Sequence, residues 1–256
     1  MKTFCFTVDD NIRFLKELEK EGAQSIFSHP YLAMYKRLHE AFGLKVQLNL
    51  FNRMEGFVLS RMSERYSHEF EENSHWLKLS FHSELENVRP YEFSGYDEVF
   101  ADAKKVNDQI CRFASPSALG KTTTVHYCRT TPEGLEALKD NGYLGLLGLF
   151  GDSEEPRSSY SLEEGIASRI RDGELVKKDG VTFASIDVIL NRFSKEKILA
   201  LLENLKGRSC IKVMIHEQYF YPDYKSYQPD FEEKLNATFS YLTSLGYKSS
   251  FFEELL

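Results

Sequence analysis

The 256-residue sequence has few of the features that mark secreted, membrane or nucleic-acid-binding proteins. Its four cysteines are widely separated and form no C-x-x-C pair, which argues against a zinc ribbon or a disulfide framework. Basic residues number 32 against 39 acidic ones, so the net charge of −7 provides no cationic surface for nucleic acid or anionic lipid. The longest nearly apolar run, 143–150, is too short to cross a bilayer. A small molecule or a protein is the expected partner.

Targeting and linker segments are also missing. The first ten residues, MKTFCFTVDD, enter an alternating strand pattern directly, without the apolar core or cleavage site of a secretory signal. We therefore expect a cytoplasmic protein with reduced thiols. No low-complexity stretch marks a boundary between independent domains. The prediction is a single domain over residues 1–256, with an irregular insertion at about 152–180.

What the chain does contain is a regular alternation of short apolar strands and longer amphipathic segments, which is typical of βα units. The clearest helix covers 96–113, where apolar residues recur at helical spacing. Thr131 and Ser194 are predicted to begin two further helices, and another covers 230–245. Strands are predicted at 3–8, 45–51, 76–81, 122–127, 144–150, 181–189, 210–215 and, weakly, 248–252. The predicted fold is α/β, a single distorted (β/α) barrel with seven or eight strands.

Polar residues follow most of the predicted strands. In such barrels the loops at the carboxyl ends of the strands meet at one mouth and carry the chemistry. The residues selected in this way are Asp9, Asp10, Asn49, Asn52, His82, His126, Asp152, Asp187, His216 and Glu217. Each of them alone has a simpler interpretation, because Asp and Asn commonly cap the helix after a strand. Three of the seven histidines end apolar strands, however, and this favours a shared polar site.

These polar residues include the carboxylates and histidines that a metal site requires. Adjacent carboxylates at 9 and 10 can divide the roles of general base and metal ligand. His82 and Glu86 are four residues apart, which would let both face one ion if the chain turned helically after the strand. Asn87 and His126 are alternatives for completing the site. His126 is equally interpreted as a substrate contact or a hydrogen-bonded core histidine.

Three short motifs in this order resemble the polysaccharide deacetylase family, metal-dependent carbohydrate esterases with a distorted barrel. The segment 6–11 (FTVDDN) is similar to the family's T-F-D-D-G, with Asn11 in place of glycine. The segment 82–86 (HSELE) is similar to H-S/T-x-x-H, with Glu86 in place of the second histidine, and 213–216 (VMIH) is similar to a late L-H motif. The R-x-P-Y motif expected after strand four is absent there.

The resemblance implies a role for each matching residue. Asp9 would be the catalytic base and His216 the general acid, while Asp10, His82 and Glu86 would hold a divalent metal. Zinc is expected first, and the two carboxylates leave manganese, nickel or cobalt open. His126, Asp187 and Glu217 are the candidate substrate-binding residues.

The implied activity is a metal-dependent deacetylase that acts on an N-acylated amino sugar or a related non-peptide C–N amide. Its partner would be a carbohydrate or small-molecule substrate. Two alternatives stay open: a catalytically silent barrel that binds a carbohydrate or metal, and an unrelated barrel glycoside hydrolase with Glu217 as nucleophile. Glu217 is also interpreted as a solvated or helix-capping residue. The oligomeric state has no signal in the sequence.

Overall fold

Strands and helices alternate along the chain, as the hydrophobic pattern predicts. The structure is a computed structural model that describes residues 2–86, 90–150 and 159–256. The helices in these ranges are α1 (Arg13–Glu21), α2 (Pro30–Phe42), α3 (Ser67–Asn73), α4 (Tyr96–Phe113), α5 (Pro132–Asp140), α6 (Glu164–Arg171), α7 (Lys195–Leu205) and α8 (Phe231–Ser244). The strands are β1 (Thr3–Asn11), β2 (Val46–Met54), β3 (Phe57–Val58), β4 (Leu77–Leu85), β5 (Thr122–Thr123), β6 (Gly145–Gly148), β7 (Val176–Lys178), β8 (Val181–Ser185), β9 (Val188–Ile189), β10 (Cys210–His216) and β11 (Lys248–Ser249).

The larger sheet is built around β1, which lies between β2 and β10. Its strands follow the order β3-β2-β1-β10-β9, with β4 paired to β2 and β11 to β1. All of these pairs are parallel except β2 with β3. The register places Asp9 of β1 opposite His216 of β10, so two predicted functional residues are neighbours at the carboxyl edge of this sheet.

The smaller sheet has the order β5-β6-β8-β7. Strands β7 and β8 form an antiparallel hairpin whose turn residues, Asp179 and Gly180, have φ of 52° and 89°. Two successive positive φ values are what a two-residue hairpin turn requires. A parallel bridge between Leu79 and Leu119 links the two sheets on one side, and the chain passes from β8 into β9 on the other.

The α/β alternation is therefore confirmed, whereas a closed barrel is not. Within the ranges that the structure describes, neither sheet closes on itself. Residues 152–158 of the predicted insertion lie outside those ranges, and the rest of the insertion forms α6, β7 and the hairpin turn. No helix of the described residues combines the length and hydropathy needed to cross a bilayer.

Local sequence explains where the main helices begin. Thr131 caps α5, because its side chain accepts a hydrogen bond from the N–H of Gly134. Ser194 caps α7 in the same way, accepting from Lys197. Helix α4 has the predicted bounds and buries the face that carries Val99, Ala103, Val106, Ile110 and Phe113. This face packs on β4 and α5 and so fixes the strand that carries His82.

Candidate metal centre and active site

Three potential metal ligands from different parts of the fold meet at the carboxyl edge of the strands. The Nε2 atom of His82 lies 3.1 Å from Oδ1 of Asp10, and Nδ1 of His126 lies 3.0 Å from the same nitrogen. The third side of the triangle, from His126 Nδ1 to Asp10 Oδ1, measures 3.3 Å. Among the residues that the structure describes, this is the one group of three such side chains that could hold a metal ion.

The backbone around Asp10 explains how two successive aspartates serve one site. Asp10 has a left-handed φ of 63°, and the pairing of β1 with β2 shifts register between Val8 and Asn11. Successive side chains of a regular strand point to opposite faces, whereas a bulge re-aims one of them. As a result, Asp9 and Asp10 both line the same cavity.

His126 reaches the cluster because β5 is shorter than predicted. The sequence predicts a strand over 122–127, but β5 ends at Thr123 and the chain turns through His126–Cys128. The amide of Val125 donates to the hydroxyl of Tyr160 instead of to a neighbouring strand. Tyr127 and Cys128 are both left-handed, with φ of 60° and 52°. Such conformations are costly for residues with a Cβ and often occur at functional sites.

The hydrogen bonds of His82 favour a metal between these atoms. Its Nδ1 lies 2.5 Å from the carbonyl oxygen of Thr124, so Nδ1 carries a proton, and in the neutral imidazole Nε2 presents a lone pair. That lone pair faces a carboxylate oxygen, and two acceptors at this distance need a cation between them. Ligands about 2.0–2.1 Å from a tetrahedral ion are separated by roughly 3.3 Å, close to the three distances found here. The donor set therefore fits a divalent metal.

The charge states expected from the surroundings agree with this arrangement. Burial raises the pKa of Asp10, but the neighbouring imidazoles of His126 and His82 outweigh burial and hold that pKa well below its usual value. Burial lowers the pKa of His126 overall. Metals bind carboxylates and neutral imidazoles, and these are the forms that the shifts of Asp10 and His126 favour. Burial lowers the pKa of His82, but the neighbouring carboxylates of Asp9 and Asp10 outweigh burial and raise it, so a metal competes with a proton at this ligand.

Asp9 lies beside this cluster and is held separately from it. The side chain is 2% exposed, and its Oδ1 accepts a hydrogen bond of 2.7 Å from Nδ2 of Asn49. Gln47 in turn donates to Oδ1 of Asn49, at 2.8 Å. Burial raises the pKa of Asp9 above its usual value. A buried carboxylate with a raised pKa has the properties of a general base.

His216 is positioned by a residue that sequence reasoning missed. Its Nδ1 lies 2.9 Å from Oδ1 of Asn191, which follows β9. Gln218, two residues further on, donates a hydrogen bond of 2.7 Å to Oδ2 of Asp10. The sequence gives no indication of the contact between Asn191 and His216 or of the contact between Gln218 and Asp10. Each contact joins two residues that are far apart along the chain.

One cavity of about 1000 Å³ connects these groups. Its lining includes seven of the predicted site residues: Asp9, Asp10, His82, Glu86, His126, Asp187 and His216. Asn52 donates to Glu84 instead of lining the cavity. Asp152 and Asn87 lie outside the described residues.

The expected ligand Glu86 is not part of the cluster, and this is a correction to the sequence analysis. The prediction requires a helical turn after His82, but β4 continues as an extended strand to Leu85. Four residues of strand span about 13 Å, so Glu86 is carried away from His82 along the cavity wall. His126 takes its place as the third member of the cluster.

Glu217 is not a substrate-binding residue but a buried helix cap. It is 1% exposed and accepts hydrogen bonds from the backbone N–H groups of Ile12, Arg13 and Phe14 at 2.7–2.9 Å. These groups belong to the first turn of α1, where a negative charge is favourable. The helix-capping interpretation is thus confirmed, although the capped helix lies at the other end of the sequence.

Asp187 lines the cavity but is held by two cations. Its carboxylate lies 2.5 Å from Nη1 of Arg208 and 3.1 Å from Nζ of Lys212. The Asp187 and Lys212 side chains are each only 2% exposed. Asp187 therefore stabilises the cavity wall through these two ion pairs.

The fold, but not the sequence, is similar to known proteins. No protein-family model matches the chain, and no curated protein matches it. A family 4 acetyl xylan esterase from Clostridium thermocellum, solved with a cobalt ion, matches over 99% of this chain and 90% of its own, with a TM-score of 0.53 and 14% identity. A peptidoglycan N-acetylglucosamine deacetylase matches over 99% and 87%, with a TM-score of 0.55 and 11% identity.

A third similar structure belongs to an enzyme that catalyses a different reaction. The 4-alpha-glucanotransferase from Thermococcus litoralis matches with a TM-score of 0.61 and 13% identity, but this chain spans only 40% of its length. Identities at this level establish a shared fold and not a shared reaction. The α/β fold of the deacetylase structures is thus confirmed, whereas a closed barrel is not. Only the side chains of the site bear on the reaction.

Proposed function

We propose that this protein is a metal-dependent deacetylase that hydrolyses the amide of an N-acylated amino sugar or a related non-peptide C–N amide. The observation that carries the proposal is the joint presence, in one cavity, of the Asp10–His82–His126 cluster, the buried carboxylate of Asp9 and the imidazole of His216. Metal-assisted amide hydrolysis needs these three elements: a Lewis acid, a base and an acid.

A divalent metal on Asp10, His82 and His126 would polarise the acyl carbonyl and make water more acidic. Zinc is our first choice because two imidazoles and one carboxylate are a common zinc ligand set. Cobalt, nickel and manganese accept the same donors.

The chain's own residues divide the proton transfers between them. Asp9, held by Asn49, accepts the proton of the water that attacks the acyl carbon. His216, held through Nδ1 by Asn191, delivers a proton from Nε2 to the departing amine nitrogen. The products are a carboxylic acid and a free amine. Opposite positions of Asp9 and His216 on adjacent strands suit a base and an acid that act on one bond.

The capping role of Glu217 argues against a glycoside hydrolase that uses this residue as nucleophile, because the four groups donating to its carboxylate leave it no contact with the cavity. A catalytically silent barrel is the remaining alternative. It predicts metal or sugar binding without turnover.

The test is acetate release from N-acetylglucosamine and its oligomers after chelation and addition of zinc, cobalt, nickel or manganese. We expect metal-dependent release that falls at least ~100-fold in Asp9→Asn, the lower end of general-base effects. Glu203→Gln, an exposed glutamate on α7, is the matched control and should retain full activity. Turnover that survives chelation or the Asp9 substitution contradicts the proposal. Release of new reducing ends instead of acetate would favour glycoside hydrolysis.

A further inference from the structure

Arginines dominate the positive charge of the cavity. Lysines outnumber arginines in the chain by 19 to 13. Among the described residues that line the cavity, however, there is no lysine and there are four arginines, at 129, 171, 192 and 208. The guanidinium group presents a planar fork of donors that matches carboxylate and phosphate, whereas lysine offers only a point charge. This composition indicates recognition of an oxyanion.

Two of these arginines have structural contacts that brace the wall. Arg208 binds Asp187 and donates to the carbonyl oxygen of Arg171 at 3.2 Å. Arg171 donates to the carbonyl oxygen of Phe150 at 3.2 Å and pairs with Glu164. The guanidinium donors of Arg171 and Arg208 bind other groups of the protein. These two arginines therefore stabilise the cavity wall and are not assigned to ligand binding.

Arg192 differs from both. It is exposed, and in the part of the chain that the structure describes its guanidinium has neither an ion pair nor a hydrogen bond. It directly follows Asn191, whose side chain holds His216. An arginine with unused donors therefore lines the same cavity as His216, the residue assigned to protonate the departing amine.

Four acidic residues, Asp9, Asp10, Glu86 and Asp187, also line the cavity, and three of them are held by contacts within the protein. Asp9 accepts a hydrogen bond from Asn49. Asp10 is engaged by His82, His126 and Gln218, and Asp187 is engaged by Arg208 and Lys212. Because the chain as a whole carries a charge of −7, an anionic ligand is repelled elsewhere and needs a local cation at its binding site.

We propose that Arg192 binds an acidic substituent, a carboxylate or a phosphate, on the N-acylated substrate. This inference rests on the proposed deacetylase function, because it assigns the substrate class of the same site. The substrate is then an acidic amino sugar or a comparable acidic amide, and Arg192 distinguishes it from the neutral compound.

Equilibrium binding tests this assignment without turnover. Titration calorimetry in an Asp9→Asn background would compare three probes: neutral N-acetylglucosamine, its 6-phosphate, and N-acetylmuramic acid, which adds a carboxylate to the same sugar. We expect at least one acidic probe to bind tenfold or more tightly than the neutral sugar. Arg192→Gln should abolish that difference and leave neutral binding unchanged. Arg192→Lys should retain part of it, because charge remains and the planar fork is lost.

The control is Arg53→Gln, an exposed arginine that pairs with Glu84 and does not line the cavity. It should bind all probes as the parent does. Equal affinities for the three probes, no binding of any probe, or equal losses for neutral and acidic probes in Arg192→Gln would overturn the inference. Activity separates the two proposals: turnover without acidic preference refutes only the role of Arg192, and absence of turnover with acidic preference refutes only the deacetylase function.

Discussion

Glu217→Ala should destabilise the protein far more than an ordinary surface substitution. The carboxylate accepts four hydrogen bonds of 2.7–2.9 Å, three from the start of α1 and one from the hydroxyl of Tyr221. Each buried donor left without an acceptor costs about 1–3 kcal/mol. Partial relaxation and entry of water reduce the sum, so we expect a loss of about 3–5 kcal/mol in the free energy of unfolding.

Urea denaturation followed by the fluorescence of Trp76, the single tryptophan, measures this loss. Glu217→Gln keeps the size and one acceptor oxygen and should lose about half as much, since its amide meets other donors. The exposed Glu203→Gln is the control and should change the free energy of unfolding by less than about 0.5 kcal/mol. A loss below about 1 kcal/mol in Glu217→Ala would refute the capping role. A lower kcat with an unchanged free energy of unfolding would instead indicate that Glu217 acts in the active site.

Two further predictions concern charged groups away from the metal cluster. Asp187→Asn leaves Lys212 buried without its carboxylate partner and should lower the free energy of unfolding by about 3–5 kcal/mol, measured by urea denaturation, with metal content unchanged. Burial raises the pKa of Glu17, but hydrogen bonds from His29 and Arg13 outweigh burial and lower it. Its stabilisation is therefore present above the unfolded pKa of about 4.5 and is lost as the pH falls further. Unfolding free energies measured between about pH 5 and pH 3 should fall more steeply in wild type than in Glu17→Gln, and parallel curves would contradict the shift.

Features that depend on local sequence could be predicted accurately. Helix α4 has the predicted bounds, since its apolar spacing and its packing face are properties of one continuous segment. The helix starts at Thr131 and Ser194 follow from side chains that bond three residues ahead. Strand ends were less predictable: β1 and β4 extend beyond their apolar runs, because parallel partners continue to supply backbone hydrogen bonds.

The candidate site could be predicted only in part, because some of its contacts depend on pairing between distant segments. Asp9, Asp10, His82 and His216 follow apolar strands directly, so the strand pattern alone brings them to one edge. The choice between Glu86 and His126 depends on whether the chain stays extended after His82, which tertiary pairing decides. The contacts of Asn191 and Glu217 join segments far apart in the chain, and no local pattern encodes them.

The central claim is that Asp10, His82 and His126, and not Glu86, hold a divalent metal. Mass spectrometry of metal content after zinc reconstitution tests it directly. We expect about one metal per chain in wild type and in Glu86→Gln, and near-complete loss in Asp10→Asn, His82→Ala and His126→Ala. Absence of bound metal in wild type, or retention in His126→Ala together with loss in Glu86→Gln, would contradict the account.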